Sequence, residues 1–300
     1  MPPATAPERL LRRLDWHVLR HLDGQLQGDY SSLFRGAGLD LAALREYQPG
    51  DDVRAIDWNV TARMQVPYVR EFDEDREITA WFLLDLSPSV DFGTAPDGRD
   101  KRAVLVELVG ILARVLTRRG NRVGALLYAS RVERTIPARG GRLQVLRLMA
   151  ALLDEPRLAR SPATELTALL DAADRTIRRR SLVVLVSDFL TAPGWERRLT
   201  QLQRRHDVLT VRLVDPREQE LPDVGPVLLR DAETGERLYV DTGDRRLRER
   251  FRAAAREREV TIEAAFRRAG VDAATISTED DLVAALVRVA RRRRRPRRRH

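Results

Sequence analysis

Residues Ser181–Asp188 run Ser-Leu-Val-Val-Leu-Val-Ser-Asp, a nearly uninterrupted apolar, β-branched stretch that ends on a carboxylate. Such a run marks a central parallel strand covered on both faces, because a half-exposed strand would alternate apolar with polar residues. A parallel strand in turn requires crossover connections, and the surrounding sequence supplies them as alternating strands and helices. Ile78–Leu84 is a second buried run and closes at Asp85. From Lys101 a helix follows with Val104, Leu105, Leu108, Ile111, Leu112, Val115 and Leu116 on one face, ended by Gly120.

Arg122–Tyr128 reads as another buried strand and Val132–Pro137 as a short edge strand. Arg142–Leu153 reads as a helix with Leu143, Leu146, Met149 and Leu153 inward, and a third helix opens at Thr164. Strands at Val208–Val214 and Ala273–Ser277, and a closing helix from Glu279, complete the alternation. The expected fold class is an α/β protein with a doubly wound, mostly parallel sheet. Two pieces interrupt it. Pro226–Leu229 and Leu238–Asp241 form an inserted hairpin around a turn at Asp231–Gly235, and Asp244–Gly270 is a long charged helix.

Ahead of this unit the pattern differs. Pro7–Leu26 has helical apolar spacing at Leu10, Leu11, Leu14, Val18, Leu19 and Leu22, and Gly28–Asp75 is irregular and rich in Gly, Asp and Arg. The expected organisation is an N-terminal helix and irregular extension over 1–76, the doubly wound domain over 77–290, and a disordered Arg-rich tail over 291–300. The formal charge of +9 is concentrated in that tail. Arg291–Arg295 and Arg297–Arg299 contribute eight charges, and 9 minus 8 leaves the body near +1. The tail is an expected polyanion binder of low specificity, and no specific nucleic-acid partner is expected.

With 43% hydrophobic residues the chain has material for a sizeable core. No apolar stretch reaches the roughly 18 uncharged residues of a membrane span. The first residues carry Glu8, Arg9, Arg12, Arg13 and Asp15 rather than an apolar signal core, so a cytoplasmic protein is expected. The absence of cysteine excludes disulfides, thiolate zinc sites and cysteine nucleophiles.

The chemistry-bearing residues lie where the apolar runs end. Asp85-Leu86-Ser87-Pro88-Ser89 places one carboxylate and two hydroxyls at a strand's carboxyl end, where open α/β sheets bind ligands. Thr164 opens a helix, and Asp188 follows the central strand. A hard divalent cation takes oxygen donors of these types in a near-octahedral shell. Each element also has a plainer reading: turn-forming Asp and Ser, an N-cap Thr, a hydrated Asp.

The set Asp-x-Ser-x-Ser, helix-opening Thr and strand-ending Asp resembles the metal-ion-dependent adhesion site of von Willebrand factor A domains. That resemblance implies a Mg²⁺ site, or one for Mn²⁺ or Ca²⁺, formed by Asp85, Ser87, Ser89, Thr164 and Asp188, with one coordination position kept for a partner's carboxylate. Pro162-Ala163 replaces the usual pair of glycines, which leaves Ser161 and Thr167 as possible substitutes for Thr164.

A longer stretch, Arg45-Glu46-Tyr47-Gln48-Pro49-Gly50-Asp51-Asp52-Val53-Arg54-Ala55-Ile56-Asp57-Trp58 with Thr61-Ala62-Arg63, resembles the bacterial family catalogued as domain of unknown function 58. Ser187-Asp188-Phe189, Asp215-Pro216-Arg217-Glu218 and Leu221-Pro222-Asp223 add to the resemblance. It implies a partnership with a MoxR-type AAA+ ATPase in chaperone-like maturation of client proteins. In Gly50–Trp58 the charges are expected to form a turn and ion-pair lattice, with Ile56 and Trp58 anchored on the sheet; direct contact with the ATPase is the alternative.

No catalysis is expected. A Mg-dependent phosphohydrolase or nuclease using Asp85 and Asp188 is the rival reading, but Ser87 stands where a phosphoaspartate phosphatase usually has its second acid. No phosphate-binding Gly-rich loop ending in Gly-Lys-Ser/Thr and no His-Glu-x-x-His occurs. His17 and His21 share a helix face, and Gly140-Gly141-Arg142 precedes a helix; neither clusters with the acidic motifs.

Overall fold

The computed structural model describes residues 5–14, 44–48, 51, 53, 56–70, 78–158 and 164–294. Its centre is a six-stranded sheet built from β3 (Thr79–Asp85), β4 (Arg122–Tyr128), β5 (Val132–Arg139), β6 (Leu182–Ser187), β7 (Asp207–Val214) and β10 (Asp272–Ser277). The order is β10-β7-β6-β3-β4-β5, all parallel except the antiparallel edge strand β5. The order reverses between β3 and β6, which makes the crevice at their carboxyl ends the topological switch point.

The apolar runs are continuous because both faces are covered. Ala80, Phe82 and Leu84 point into one core with Leu182, Val184 and Val186, beneath α3 (Lys101–Arg118), α4 (Arg142–Asp154) and α8 (Leu282–Arg294). Trp81 and Leu83 point into the other with Val183 and Leu185, beneath α5 (Leu166–Thr176), α6 (Trp195–Arg205) and α7 (Arg245–Ala269). Every residue of β6 is buried.

Helix ends follow local chemistry. Asp100 caps α3, accepting from the Ala103 amide at 2.7 Å, and Asp244 caps α7 through the Arg246 amide at 2.8 Å. Gly270 ends α7 in the left-handed conformation, φ +69°, that glycine adopts without strain. The predicted hairpin is present as β8 (Pro226–Arg230) and β9 (Arg237–Asp241), closed by Asp231 Oδ1, which accepts from the Glu233 and Thr234 amides.

The N-terminal part contributes α1 (Ala6–Leu14), β1 (Leu44–Glu46), α2 (Trp58–Met64) and β2 (Tyr68–Arg70), the two strands paired antiparallel. Leu11 of α1 is fully buried in the core beneath α3 and α4. The remainder of the expected Pro7–Leu26 helix, with His17 and His21, lies outside the described residues.

Three expectations need correction. Leu143 is 71% exposed and Leu153 44%, whereas Met149 is buried as expected and Leu146 packs partly buried on the core; α4 also buries Val145, Leu148 and Leu152. The inward stripe is shifted because Gln144 is also buried, donating from Nε2 to the Val123 and Pro137 carbonyls, and that rotates the helix about its axis. Trp58 is no anchor, being 70% exposed, whereas Asp57 is buried: its amide donates to the Tyr68 carbonyl and its Oδ1 accepts from the Val60 amide. The expected turn at Asp51 is present through its bond from the Gln48 amide, while Asp52 and Arg54 lie outside the described residues.

The third correction concerns the tail. Helix α8 continues to Arg294, so Arg291–Arg294 are helical. The Arg293 side chain lies almost fully buried, donating to both Asp207 carboxylate oxygens at 2.7 and 2.8 Å and to Asp272 at 2.9 Å. These carboxylates flank the amino-terminal ends of β7 and β10, and the guanidinium fork matches their geometry. Residues 295–300 lie outside the described residues.

Candidate metal centre at the sheet rim

Asp85 and Asp188 are brought together by strand register. Leu84 pairs with Val186 in adjacent parallel strands, so Asp85 stands beside Ser187 and the following Asp188 on the same rim. Asp85 is fully buried. Its Oδ1 accepts from the Ser87 amide at 3.0 Å and its Oδ2 from the Ser187 hydroxyl at 2.6 Å. Burial and the negative charge of Asp188 push its pKa up to about 6, against the lowering effect of the Ser187 and Ser87 hydrogen bonds.

Ser87 and Ser89 follow Asp85 into a short 3₁₀ turn at Pro88–Asp91, where Pro88 takes the first position, for which its fixed φ is suited. Both serines are buried and their hydroxyls lie 3.1 Å apart. The proline therefore preorganises the loop. Past β6 the chain turns sharply: Phe189 has φ +59°, an unfavourable region for a side chain with a Cβ. Its ring packs against Trp195 at 5.1 Å and Phe266 at 4.8 Å, which holds that conformation. The turn lets the Leu190 amide reach Asp188 Oδ1 at 3.0 Å.

Thr164 lies one residue before the N-cap of α5, which is Glu165, so the expectation that it opens the helix is off by that step. Its backbone is clamped: its carbonyl accepts from the Thr191 hydroxyl at 2.5 Å and the Ala192 amide at 3.0 Å. The neighbouring Glu165 amide donates to the Tyr128 hydroxyl at 3.0 Å. The segment before α5 is thus tied to the loop after β6 and to the end of β4. The Thr164 hydroxyl itself is buried without an aligned hydrogen bond. Of its possible substitutes, Ser161 lies outside the described residues and Thr167 sits within α5, beside Gly194.

Three groups at the site were not singled out by the sequence reading. Lys101, the sole lysine of the chain, is buried and donates to Asp188 Oδ2 at 2.7 Å and to Glu218 at 2.5 Å. Burial pulls the Lys101 pKa down, but the two carboxylates outweigh it and the net shift is upward. Glu218 belongs to Asp215-Pro216-Arg217-Glu218, whose structural role is now plain. Its Oε2 accepts from the Asp215 amide while the Asp215 carboxylate accepts from the Arg217 amide, closing a reciprocal cap, and from Thr94 and Thr278. The motif is a buttress that holds Lys101 against Asp188.

The third is Glu233, from the hairpin turn. Its Oε1 accepts from the Ser89 amide at 3.2 Å, across 144 residues of sequence, and its Oε2 is buried without an aligned hydrogen bond. Burial raises the Glu233 pKa; the Ser89 and Thr164 groups beside it oppose that shift and Asp188 adds to it. Under the hairpin runs a groove of about 1180 Å³ whose walls include Phe189, Trp195, Val227, Leu229 and Ile262, and whose rim end includes Ser89, Thr164 and Glu233.

Do these donors suit a divalent ion? Among the described residues no three His, Cys, Asp or Glu side chains gather closely enough to hold a metal by themselves. The donor set relies instead on hydroxyls. Each oxygen of Asp85 and Asp188 accepts one hydrogen bond from the protein and retains a further lone pair. The Thr164 hydroxyl, buried near the Glu233 carboxylate without a well-aligned hydrogen bond, is the observation that fits, since such a group is costly to leave poorly satisfied.

Comparison with known proteins places the chain in a family. The model of the family described as proteins of unknown function DUF58 matches residues 43–261. The chain belongs to the DUF58 family. DUF58 relatives include an uncharacterized protein of Mycobacterium tuberculosis and another of Mycobacterium bovis, each 38% identical over 287 residues, which is 95% of this chain and 89% of theirs. Among solved structures, an aerotolerance-related membrane protein of Bacteroides fragilis superposes with a TM-score of 0.50 at 13% identity, covering 72% of this chain and 98% of that one. That likeness concerns the fold alone, an α/β arrangement about a mostly parallel six-stranded sheet. Among the described residues of this DUF58 chain, no helix is long and apolar enough to cross a membrane.

Proposed function

We propose that the protein is a metal-dependent protein-interaction module that works with a MoxR-type AAA+ ATPase in the maturation or assembly of client proteins, without catalysis of its own. The observation that carries this reading is the convergence of Asp85, Ser87, Ser89 and Asp188 at the switch point, with the Thr164 hydroxyl buried and without an aligned hydrogen bond. A Mg²⁺, Mn²⁺ or Ca²⁺ ion bound there supplies an electropositive centre with a coordination position open to a carboxylate.

The chain's own residues prepare that centre. Ser187 and the Ser87 amide orient Asp85, and Lys101 with the Leu190 amide orients Asp188. Lys101 also offsets part of the negative charge, so a bound cation keeps appetite for an external acid. Neutral hydroxyls from Ser87, Ser89 and Thr164 preserve that appetite further. An acidic side chain of the ATPase or the client is the ligand we infer, and a cytoplasmic setting is part of the same proposal.

The ATPase as partner rests on the family resemblance and on the lack of a nucleotide-binding loop in this sequence. Pull-down of the ATPase by wild type and Asp85→Ala, each in Mg²⁺ and in EDTA, tests the reading. Retention only by wild type in Mg²⁺ is expected. Equal retention in all four conditions would count against it.

A further inference from the structure

We propose that Glu233 is this chain's own occupant of the open ligand position, a latch that holds the hairpin on the rim until a partner's carboxylate takes its place. The inference rests on the metal-site reading above and adds its regulation. The rim is where an external acid would enter, and an acid is already there: Glu233 Oε1 on the Ser89 amide, with Oε2 buried and the Thr164 hydroxyl close to the carboxylate but not in good hydrogen-bond geometry.

Charge makes this placement unfavourable unless something compensates it. Asp85, Asp188 and Glu233 approach one rim, and the Lys101 ammonium is already shared between Asp188 and Glu218. Like charges brought together out of water repel, and a divalent cation relieves that repulsion for all three at once. The Thr164 hydroxyl and Glu233 Oε2 lie near each other without a well-aligned hydrogen bond, and a cation would give both oxygens a full partner.

The element bearing Glu233 is suited to release. Leu228, Leu238 and Tyr239 of the hairpin are 57%, 63% and 71% exposed, and the hairpin roofs an open groove instead of packing into the core. A two-stranded ribbon of this kind has little stability of its own. A contact at its tip therefore governs whether it lies down on the rim. Asp231 fixes the shape of that tip through the Glu233 and Thr234 amides, so Glu233 is presented by a preformed turn.

The test uses the full chain with Mn²⁺ as probe, comparing wild type with Glu233→Gln. The glutamine keeps an oxygen for the Ser89 amide and removes only the charge. Mn²⁺ binding is measured by calorimetry, and closure by amide hydrogen exchange over residues 226–241. For wild type, Mn²⁺ should slow hairpin exchange several-fold. In Glu233→Gln the slowing should vanish while Mn²⁺ still binds, and Glu233→Asp, with a shorter reach, should fall between. If Mn²⁺ binds both proteins and hairpin exchange responds equally, or not at all, the latch is overturned and the metal site stands. If wild type binds no Mn²⁺, the metal-site reading falls and the latch falls with it.

Discussion

Asp85 shows how a single position trades stability for a site. Its carboxyl pKa is about 6 in the fold against 3.8 as the ordinary value, so the native state holds the proton more tightly than the unfolded chain. Stability of the metal-free protein consequently falls as pH rises from about 4 to 6, and the penalty is fully present at neutral pH, on the order of 3 kcal/mol. Asp85→Asn should raise metal-free stability at pH 7.5 by about 1–3 kcal/mol, and flatten its dependence on pH below that, while abolishing the proposed metal binding. Urea unfolding in EDTA across pH 4–8 checks this; a variant less stable than wild type at pH 7.5 would refute it. That Asp85, Ser87, Ser89 and Asp188 stand at the carboxyl ends of buried strands was legible in the sequence, because each ends or follows an apolar run. Lys101 and Glu233 were not, since a lysine opening a helix and a glutamate in a charged turn look like solvated residues until the chain is folded.

At the scale of elements, the loop from β3 to α3 positions more chemistry than its composition suggests. Gly93 packs so closely on the start of α3 that an added Cβ would lie 2.2 Å from the Asp100 Cα and 2.6 Å from the Arg99 carbonyl oxygen. Backbone cannot yield cheaply at such distances, so the helix start would have to move, taking with it the Asp100 cap and Lys101. Gly93→Ala should destabilise the protein by about 2 kcal/mol or more and weaken metal binding, whereas Asp100→Ala should lose only the ~1 kcal/mol of a cap. Thermal unfolding of the two variants compares them; a neutral Gly93→Ala would show that the loop has slack. Helix α4 marks the limit of periodicity at this scale. Met149 is inward as its spacing indicated, but Leu143 and Leu153 are not, and the buried Gln144 amide, bonded to two carbonyls of the β4–β5 ribbon, takes part of the inward face.

For the molecule as a whole, the carboxyl-terminal arginines divide into two kinds. Arg293 clamps Asp207 and Asp272 at the end of the sheet opposite the Asp85–Asp188 rim, and its loss would leave Asp207 a buried carboxylate whose pKa burial already raises. Ending the chain after Ala290 should destabilise it by roughly 2–4 kcal/mol, while ending it after Arg294 should leave stability within about 0.5 kcal/mol of wild type. Denaturant titration of both truncations decides; equal stability would show that Arg293 is dispensable. A polyanion assay on a truncation therefore needs the longer form, because the shorter one confounds binding with folding.

What the sequence determined by itself is the layered plan: continuous β-branched runs can be buried only between two helical layers, and their parallel pairing follows from the helices between them. It also determined that carboxylates stand at strand ends, since a charge cannot continue a buried strand. Only the tertiary structure decided that β3 and β6 are neighbours, that one lysine and a distant Pro-Arg-Glu turn support Asp188, and that a hairpin glutamate lies on the same rim. Those facts depend on strand order and on contacts between residues far apart in the chain, and no local pattern of polarity encodes them.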